Sequence, residues 1–147
     1  SYLNEVSERV KNCAACAASG LGAEVEIRNF ELSYANMVTN VTLSRIFSHN
    51  LKESGIIDIY GPRQKAGSID MGNVSHVCPA IHPYIKTCEK DIAPHTREFA
   101  AATITDYAVE SMISAAKAMA LTGYDIITNC ELLREIKDEF GKQKSLF

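Results

Sequence analysis

The stretch that most constrains the fold is residues 66–85, which contain two glycines, two prolines and two of the four histidines of the chain. No helical period fits its apolar residues, and glycine permits backbone conformations that are closed to other residues. We therefore expect a loop that is held between two short apolar strands. The first predicted strand carries Val74, Val77 and Cys78, and the second spans residues 80–85. This pattern predicts a binding site on rigid supports.

A histidine stands near the start of a long Ala-rich segment that follows this stretch. His95 lies in the sequence PHTREF, directly before Thr96, the predicted cap of a helix. A glycine-containing loop, rigid strands and a histidine beside a helix start indicate a site for a small anionic ligand, with a metal as a further ligand. From these residues alone, His95 is either an ordinary loop histidine or a metal ligand.

Charge and hydropathy exclude several classes of partner. The net charge of -3 and the absence of a Lys/Arg cluster argue against a nucleic-acid binder, because such proteins normally present a basic face. No apolar run approaches the roughly 20 residues that a membrane-spanning helix needs. The five cysteines show no spacing typical of a secreted disulfide framework, so we expect a reducing, cytoplasmic location.

Cys13 and Cys16 form a CxxC pair inside the first predicted helix. Such a pair can bind zinc or take part in redox chemistry, but no second Cys/His pair at a metal-binding spacing follows. The alternative is that both are small residues on a buried helix face. We predict the second, structural role.

Alternating helical and strand patterns along the chain predict an α/β fold. The long Ala-rich helix is expected to bury one stripe, formed by Ile104, Ala108, Met112, Ala115 and Met119. The predicted elements in order are a helix at residues 2–18, a strand at 23–34, a helix from Asn40 to Gly55, a strand at 56–60, the loop with its two strands, a helix from Thr96 to about 128, and a final helix capped by Asn129.

The motif GSIDMGNVSHVCPAIHPYI followed by HTREFAAA resembles the C-terminal part of the aminoacylase and carboxypeptidase-type dinuclear-zinc metallopeptidases. It is most similar to their amidohydrolase branch, which includes aminobenzoyl-glutamate hydrolases and aminoacylase-like dipeptidases. The resemblance implies a partial zinc-peptidase-type catalytic domain, a mixed sheet flanked by helices, at residues 36–147. It implies that residues 1–35 are the last helix and strand of an inserted lid or dimerisation domain.

The same resemblance assigns roles to individual residues. His95 matches the last metal ligand of the family, in an H-[ST]-x-x-F context in which Arg97 replaces an expected proline. Gly67, Ser68, Asp70 and Asn73 match the family loop that faces the substrate, and His82 matches a position at the border of the substrate pocket. Without the resemblance, the loop reads as a plain turn, and His76 and His82 read as structural or surface histidines.

The resemblance further implies two zinc ions in a complete enzyme, with manganese or cobalt as alternatives. An upstream His-x-Asp motif and a Glu-Glu pair supply the remaining ligands and the general base in this family, and the chain contains neither. We therefore expect no catalytic residue in this chain and no activity or firmly held metal pair from it alone.

Three functional hypotheses follow. The first is the C-terminal segment of an amidohydrolase that cleaves the amide bond of an N-acyl amino acid or dipeptide. In it, the lid elements form a homodimer or the chain associates with an N-terminal part. The second is a non-catalytic binding or oligomerisation module derived from such an enzyme. The third is an independent small metal-binding protein that uses His95, His82 and the cysteines.

Overall fold

The computed structural model describes residues 2–61 and 67–145, so Ala66, the first residue of the predicted loop, lies outside the described residues. The chain divides into two compact units, Ser1–Ser33 and Tyr34–Phe147. In the described ranges, no helix is both long and apolar enough to cross a membrane. The helices are α1 (Tyr2–Gly20), α2 (Val41–Glu53), α3 (Met71–Ser75), α4 (Arg97–Ala102), α5 (Asp106–Thr128) and α6 (Cys130–Lys144).

The predicted α/β fold with a mixed sheet is wrong, because every regular element among the described residues is a helix and none is a β-strand. Residues 23–34, 56–60 and 81–85 form neither helix nor strand. An isolated parallel bridge joins Thr39 to Ala80. An alternating sequence gives a segment the capacity to pair, but a strand forms only where a neighbouring segment offers its backbone groups in register.

The strand predicted around Val74 is also wrong, because this residue lies in the short helix α3. Three apolar residues at positions 74, 77 and 78 satisfy a helical turn as well as a strand, and periodicity cannot separate the two over so short a run. The described part of this stretch, residues 67–85, therefore has irregular backbone on both sides of one short helix.

Helix α1 confirms the first predicted helix, but no residue of α1 is buried. Cys13 and Cys16 are both exposed and carry free thiols, so the prediction that they are buried core residues is wrong. Tyr2 and Leu3 are exposed as well.

Side-chain hydrogen bonds cap two helices at the residues that the sequence predicted. Asn40 accepts a hydrogen bond from the Leu43 amide at 2.9 Å and begins α2. Asn129 accepts bonds from the amides of Glu131 and Leu132, both at 3.1 Å, and begins α6. These bonds satisfy amides that have no partner within the helix.

The predicted long helix is two helices, α4 and α5, separated at Thr103 to Thr105. The Thr103 and Thr105 hydroxyls donate to the carbonyl oxygens of Ala100 and Ala102, at 2.7 and 2.9 Å, and the Thr105 hydroxyl then caps α5. Threonine competes with the helix for its own backbone groups in this way. Gly123 lies within α5 and does not break it.

The stripe predicted to face the core on this helix is largely wrong. Ala108 is buried, but Ile104, Met112 and Met119 are 82%, 61% and 65% exposed. The buried face of α5 instead contains Ala118, which is 0% exposed.

The core lies where α2 packs against α5. Phe47, Leu51 and Ala118 form its buried cluster. The small Ala118 side chain allows the two helices to approach closely, as small residues do at helix crossings. Three partly buried residues from non-helical segments pack against this cluster: Ile56, Ile81 and Ile85.

Hydrogen bonds between polar side chains also connect α2 to α5. The buried Asn50 side chain donates to the Thr122 hydroxyl at 3.1 Å and to the Asp125 carboxylate at 2.8 Å. Thr122 in turn donates to the Ala118 carbonyl oxygen at 2.7 Å. Because both buried polar groups have partners, their burial carries no large desolvation penalty.

Asn40 connects three parts of the C-terminal unit and is 0% exposed. Besides capping α2, its side-chain amide donates to the Ile136 carbonyl oxygen in α6 at 3.0 Å. Its backbone amide donates to the Ala80 carbonyl oxygen at 3.0 Å. One residue therefore fixes α2, α6 and the extended segment at Ala80 relative to each other.

Glu139 on α6 adds a second bond to the start of α2. Its carboxylate oxygens accept from the Val41 and Thr42 amides at 2.5 and 2.8 Å. Burial raises the pKa of the Glu139 carboxyl, but hydrogen bonds from the Thr42 side chain and from the Thr42 and Val41 amides outweigh that effect, so the pKa lies below its ordinary value.

We predict that Asn40→Ala lowers the free energy of unfolding by about 1–3 kcal/mol, since it removes the helix cap on the Leu43 amide and the buried hydrogen bond to the Ile136 carbonyl oxygen. Urea denaturation followed by circular dichroism measures the change. Asn4→Ala, at an exposed position of α1, is the matched control and should change the free energy by less than about 0.5 kcal/mol. An equal effect of both variants would contradict the role of Asn40.

The lowered pKa of Glu139 predicts an acid dependence of stability. Its contribution is present above the ordinary glutamate pKa of about 4.3 and is lost as the pH falls through the lower folded-state pKa. Glu139→Gln should therefore be less stable than the wild type at pH 7 and should lose less stability on acidification. Denaturation midpoints between pH 7 and pH 2 test this, and parallel curves for the two proteins would refute it.

Candidate functional site

The predicted substrate loop is an exposed turn that leads into α3. Gly67, Ser68 and Asp70 are exposed. Asp70 stands at the N-cap of α3 and makes no side-chain capping bond. Its carboxylate oxygens could bind a ligand, but the structure does not indicate which ligand.

Asn73, the fourth predicted loop residue, bonds to the protein itself. Its side-chain oxygen accepts from the Ala35 amide at 2.6 Å. Two residues further on, the Ser75 hydroxyl accepts from the Val38 amide at 2.9 Å. The motif thus brings its polar side chains to a non-helical backbone segment 37 and 38 residues earlier in the chain.

His76 completes this set of contacts, although the sequence did not identify its partner. Its Nε2 atom lies 3.0 Å from the Asn36 carbonyl oxygen and donates to it when Nε2 carries a hydrogen. In the sequence, Ser75 and His76 are only polar residues among apolar ones. Neither their spacing nor the composition identifies the backbone groups that they contact.

Gly72 is required by close packing against the same segment. A Cβ atom at this position would fall well inside van der Waals contact with the Ala35 carbonyl oxygen and 2.8 Å from the Ala35 carbonyl carbon. Both of those atoms belong to the backbone, so no side-chain rotation can relieve the clash. The glycine is therefore explained by packing and does not depend on a ligand.

His82 is exposed, and its ring contacts the Tyr84 ring edge-on, with centroids 5.0 Å apart. Such aromatic pairs are favourable when arranged edge to face. The contact orients the imidazole without burying it.

His95 is the one non-glycine residue with a positive φ among the described ranges, at 65°. This left-handed conformation is uncommon outside glycine, and strained backbone of this kind concentrates at functional sites. The adjacent Thr96 hydroxyl donates to the Ala93 carbonyl oxygen at 2.8 Å and accepts from the Phe99 amide at 3.1 Å. These bonds fix the turn at the start of α4, in which the His95 side chain is exposed.

The described residues do not form a complete metal site. In residues 2–61 and 67–145, no group of three or more His, Cys, Asp or Glu side chains is close enough to hold a metal ion. A catalytic zinc site normally takes three protein ligands and a water molecule. The donor set therefore does not fit a resident zinc, and His95 can supply at most one ligand.

Two concave regions lie in the C-terminal unit. A cavity of about 210 Å³ is lined by Val38, Ser75, His76, Phe140, Gln143 and Lys144. Gln143 donates to the Thr39 carbonyl oxygen and to Glu139, and its buried side-chain oxygen has no partner among the described residues.

The second concave region, of about 450 Å³, lies between α2, α5 and the start of α6. Its lining includes Arg45, His49 and Asp125. None of the six residues that the sequence marked for metal or substrate lines either region.

We predict that Gly72→Ala lowers the free energy of unfolding by about 1–3 kcal/mol, because the added methyl group overpacks against backbone. Thermal and urea denaturation measure the loss. Gly67→Ala in the same loop is the matched control, since no atom of the described residues lies within 4 Å of the place that its methyl group would occupy. It should change stability by less than about 1 kcal/mol. Equal stability of both variants would show that the close approach to Ala35 is absent.

No protein-family model matches the chain. Among curated proteins, the chain is similar to the Xaa-Arg dipeptidases of Mus musculus and Homo sapiens, and it is 33% identical to each over 144 residues. The match covers 94% of this chain and 32% of either relative, so the chain spans about a third of the length of the curated relatives it matches. This similarity, at 33% identity over most of the chain, supports a family of the dipeptidase or amidohydrolase type.

Proposed function

We propose that this chain is the C-terminal segment of a metal-dependent amidohydrolase that cleaves the amide bond of an N-acyl amino acid or a dipeptide. The observation that carries the proposal is the match of 94% of the chain to two dipeptidases. Because both relatives are named Xaa-Arg dipeptidase, dipeptides that end in arginine are the first substrates to test. In this proposal, residues 1–35 belong to a lid and residues 36–147 to the catalytic domain.

The proposal assigns no activity to the chain alone. Amide hydrolysis needs an activated water molecule and a group that accepts its proton. The sequence has no His-x-Asp or Glu-Glu motif, and the described residues assemble no three-donor metal group. The remaining ligands and the base are assigned to residues of a longer protein that contains this chain.

Exposed apolar surface supports the assignment to a longer protein. Among the described residues, Phe30, Leu32 and Tyr60 are 94%, 84% and 87% exposed. Side chains of this size are usually buried in a folded protein or at an interface, and large exposed apolar patches mark interaction sites. A further part of the same protein is the partner that this proposal assigns to them.

His95 is proposed as one metal ligand of the complete enzyme, with zinc as the expected metal and manganese or cobalt as alternatives. Its support is the left-handed backbone, the exposed imidazole and the two Thr96 bonds that fix the turn. The exposed loop residues are proposed to face the substrate: Gly67, Ser68, Asp70 and His82. For Asn73, the bond to Ala35 supports a structural role beside this one.

We expect His95→Ala, made in the longer protein that contains this chain, to lower bound zinc and dipeptide hydrolysis by at least about a hundredfold, on the order seen when a metal site loses a ligand or its support. Elemental analysis and a hydrolysis assay on an Xaa-Arg dipeptide measure the two quantities. His49→Ala is the matched control, because His49 is an exposed histidine on α2. Unchanged zinc content in His95→Ala would refute the ligand assignment.

The isolated chain provides a complementary test. Calorimetric titration with zinc is expected to show no submicromolar site, and the chain should not hydrolyse the dipeptide. Submicromolar binding would favour an independent metal-binding protein that uses His95, His82 and the cysteines.

A second function is a non-catalytic binding or oligomerisation module. The exposed apolar residues of the N-terminal unit favour it, since Leu3, Val10 and Leu32 offer a surface for self-association as a homodimer. Sedimentation of the chain at high concentration tests this function, and a monomer would count against it. For both proposed functions, the free cysteines are consistent with the proposed cytoplasmic location.

A further inference from the structure

We propose that Cys13 and Cys16 on α1 form a two-thiolate site for Cu(I), a soft monovalent metal ion. Both residues are exposed and carry free thiols, so packing in a core does not account for them. The site lies entirely within the N-terminal unit. It does not depend on the proposed hydrolase activity.

The two cysteines lie on one face of a continuous helix. Helix α1 runs from Tyr2 to Gly20, and residues three apart in a helix are neighbours, with about 5–6 Å between their Cβ atoms. The segment CAACAAS places only alanines between the two cysteines and directly after the second. Alanine is the strongest helix former and has no atom beyond Cβ. It therefore maintains the helical spacing of the thiols and leaves them accessible.

This spacing disfavours a disulfide bond between the two cysteines. A disulfide needs Cβ atoms about 3.5–4.5 Å apart, which is less than the separation that a helix imposes. Closing the bond would therefore distort α1, and a strained disulfide is easily reduced. The pair is expected to remain a dithiol.

The same pair does not complete a zinc site. Structural zinc normally takes four protein ligands, and catalytic zinc takes three and a water molecule. In the part of the chain that the structure describes, no third His, Cys, Asp or Glu side chain joins the two cysteines in a group that could hold a metal ion. Two ligands alone leave zinc without half of its coordination shell.

Cu(I) fits both the number of ligands and their spacing. Soft thiolates select this ion, and two sulfur atoms on opposite sides of it complete a linear coordination. An ion that bridges two sulfur atoms spans a longer distance than a direct bond between them. The separation that opposes a disulfide on α1 is therefore compatible with a bridging Cu(I).

Binding exchanges two protons for one metal ion. Each thiol loses its proton to solvent, and each sulfur atom then donates an electron pair to Cu(I). The complex carries one negative charge, and neither copper nor sulfur changes its oxidation state. Because the ligands must be deprotonated, the affinity should rise with pH.

Competition with the chromophoric chelator bicinchoninate tests the site on the 147-residue chain, in the absence of oxygen and with ascorbate as the reductant. The wild type should take up one equivalent of Cu(I) more than the Cys13→Ser, Cys16→Ser double variant. Either single variant should bind this equivalent at least about a hundredfold more weakly, on the order expected when a metal site loses a ligand or its support.

Cys130→Ser is the matched control, because Cys130 is also an exposed free cysteine, at the start of α6. It should retain the equivalent that the double variant loses. Circular dichroism should show the same helical content in every variant, since serine replaces cysteine at exposed positions. Equal uptake of Cu(I) by the wild type and the double variant would overturn the proposal.

Two further measurements separate the alternatives. Sedimentation should show that zinc does not change the mass of the wild-type chain; a zinc-dependent dimer that the double variant fails to form would instead indicate a four-cysteine zinc site between two copies. Mass spectrometry after incubation in a glutathione redox buffer should show both thiols reduced. A disulfide between Cys13 and Cys16 would contradict the spacing argument and refute the Cu(I) site.

Discussion

The C-terminal unit depends on the buried Asn40 side chain and on the groups that it joins. The side chain caps α2 and donates to the Ile136 carbonyl oxygen of α6. The backbone amide of the same residue donates to the Ala80 carbonyl oxygen. A fully buried amide is tolerated only when its donors and acceptors are satisfied. Because Ala80 and Ile136 lie far from Asn40 in sequence, the side chain and the backbone amide of this one residue together fix the relative positions of three segments. Glu139 adds charge-assisted bonds at the same helix start.

The buried apolar cluster between α2 and α5 is small. Phe47, Leu51 and Ala118 form the buried cluster, whereas large side chains such as Phe30, Tyr60 and Ile104 are exposed. Burial of apolar surface is the main favourable term in folding, so directional bonds at Asn40, Asn50 and Glu139 have a larger share here in specifying how the helices are arranged. The same exposed surface supports the proposal of a larger protein as the context of the chain.

The predicted ligand loop shows how one motif supports two interpretations. Its glycines and short polar residues fit a substrate loop, and part of the turn, at Gly67, Ser68 and Asp70, is exposed as such a loop requires. Gly72 and Asn73, however, are explained by their contacts with Ala35. A glycine that makes room for a ligand cannot be distinguished by sequence from a glycine that makes room for neighbouring backbone. Only the position of residues 35–38 in the structure distinguishes the two. The strained turn at His95 was likewise invisible in the sequence, which showed only a histidine before a helix cap.

The sequence by itself determined the local features: the starts of α2 and α6 at Asn40 and Asn129, the end of α2 near Gly55, and the helical character of residues 2–20 and 106–128. Caps, glycines and helical periods act over one or two turns, so neighbouring residues contain the information. Tertiary structure decided that residues 23–34, 56–60 and 80–85 form no sheet, that Ala118 rather than the Ile104 stripe is buried, and that Asn73 and Ser75 bind the backbone at Ala35 and Val38. Strand pairing, burial and long-range hydrogen bonds each require a partner that is distant in the chain, and no local pattern identifies that partner.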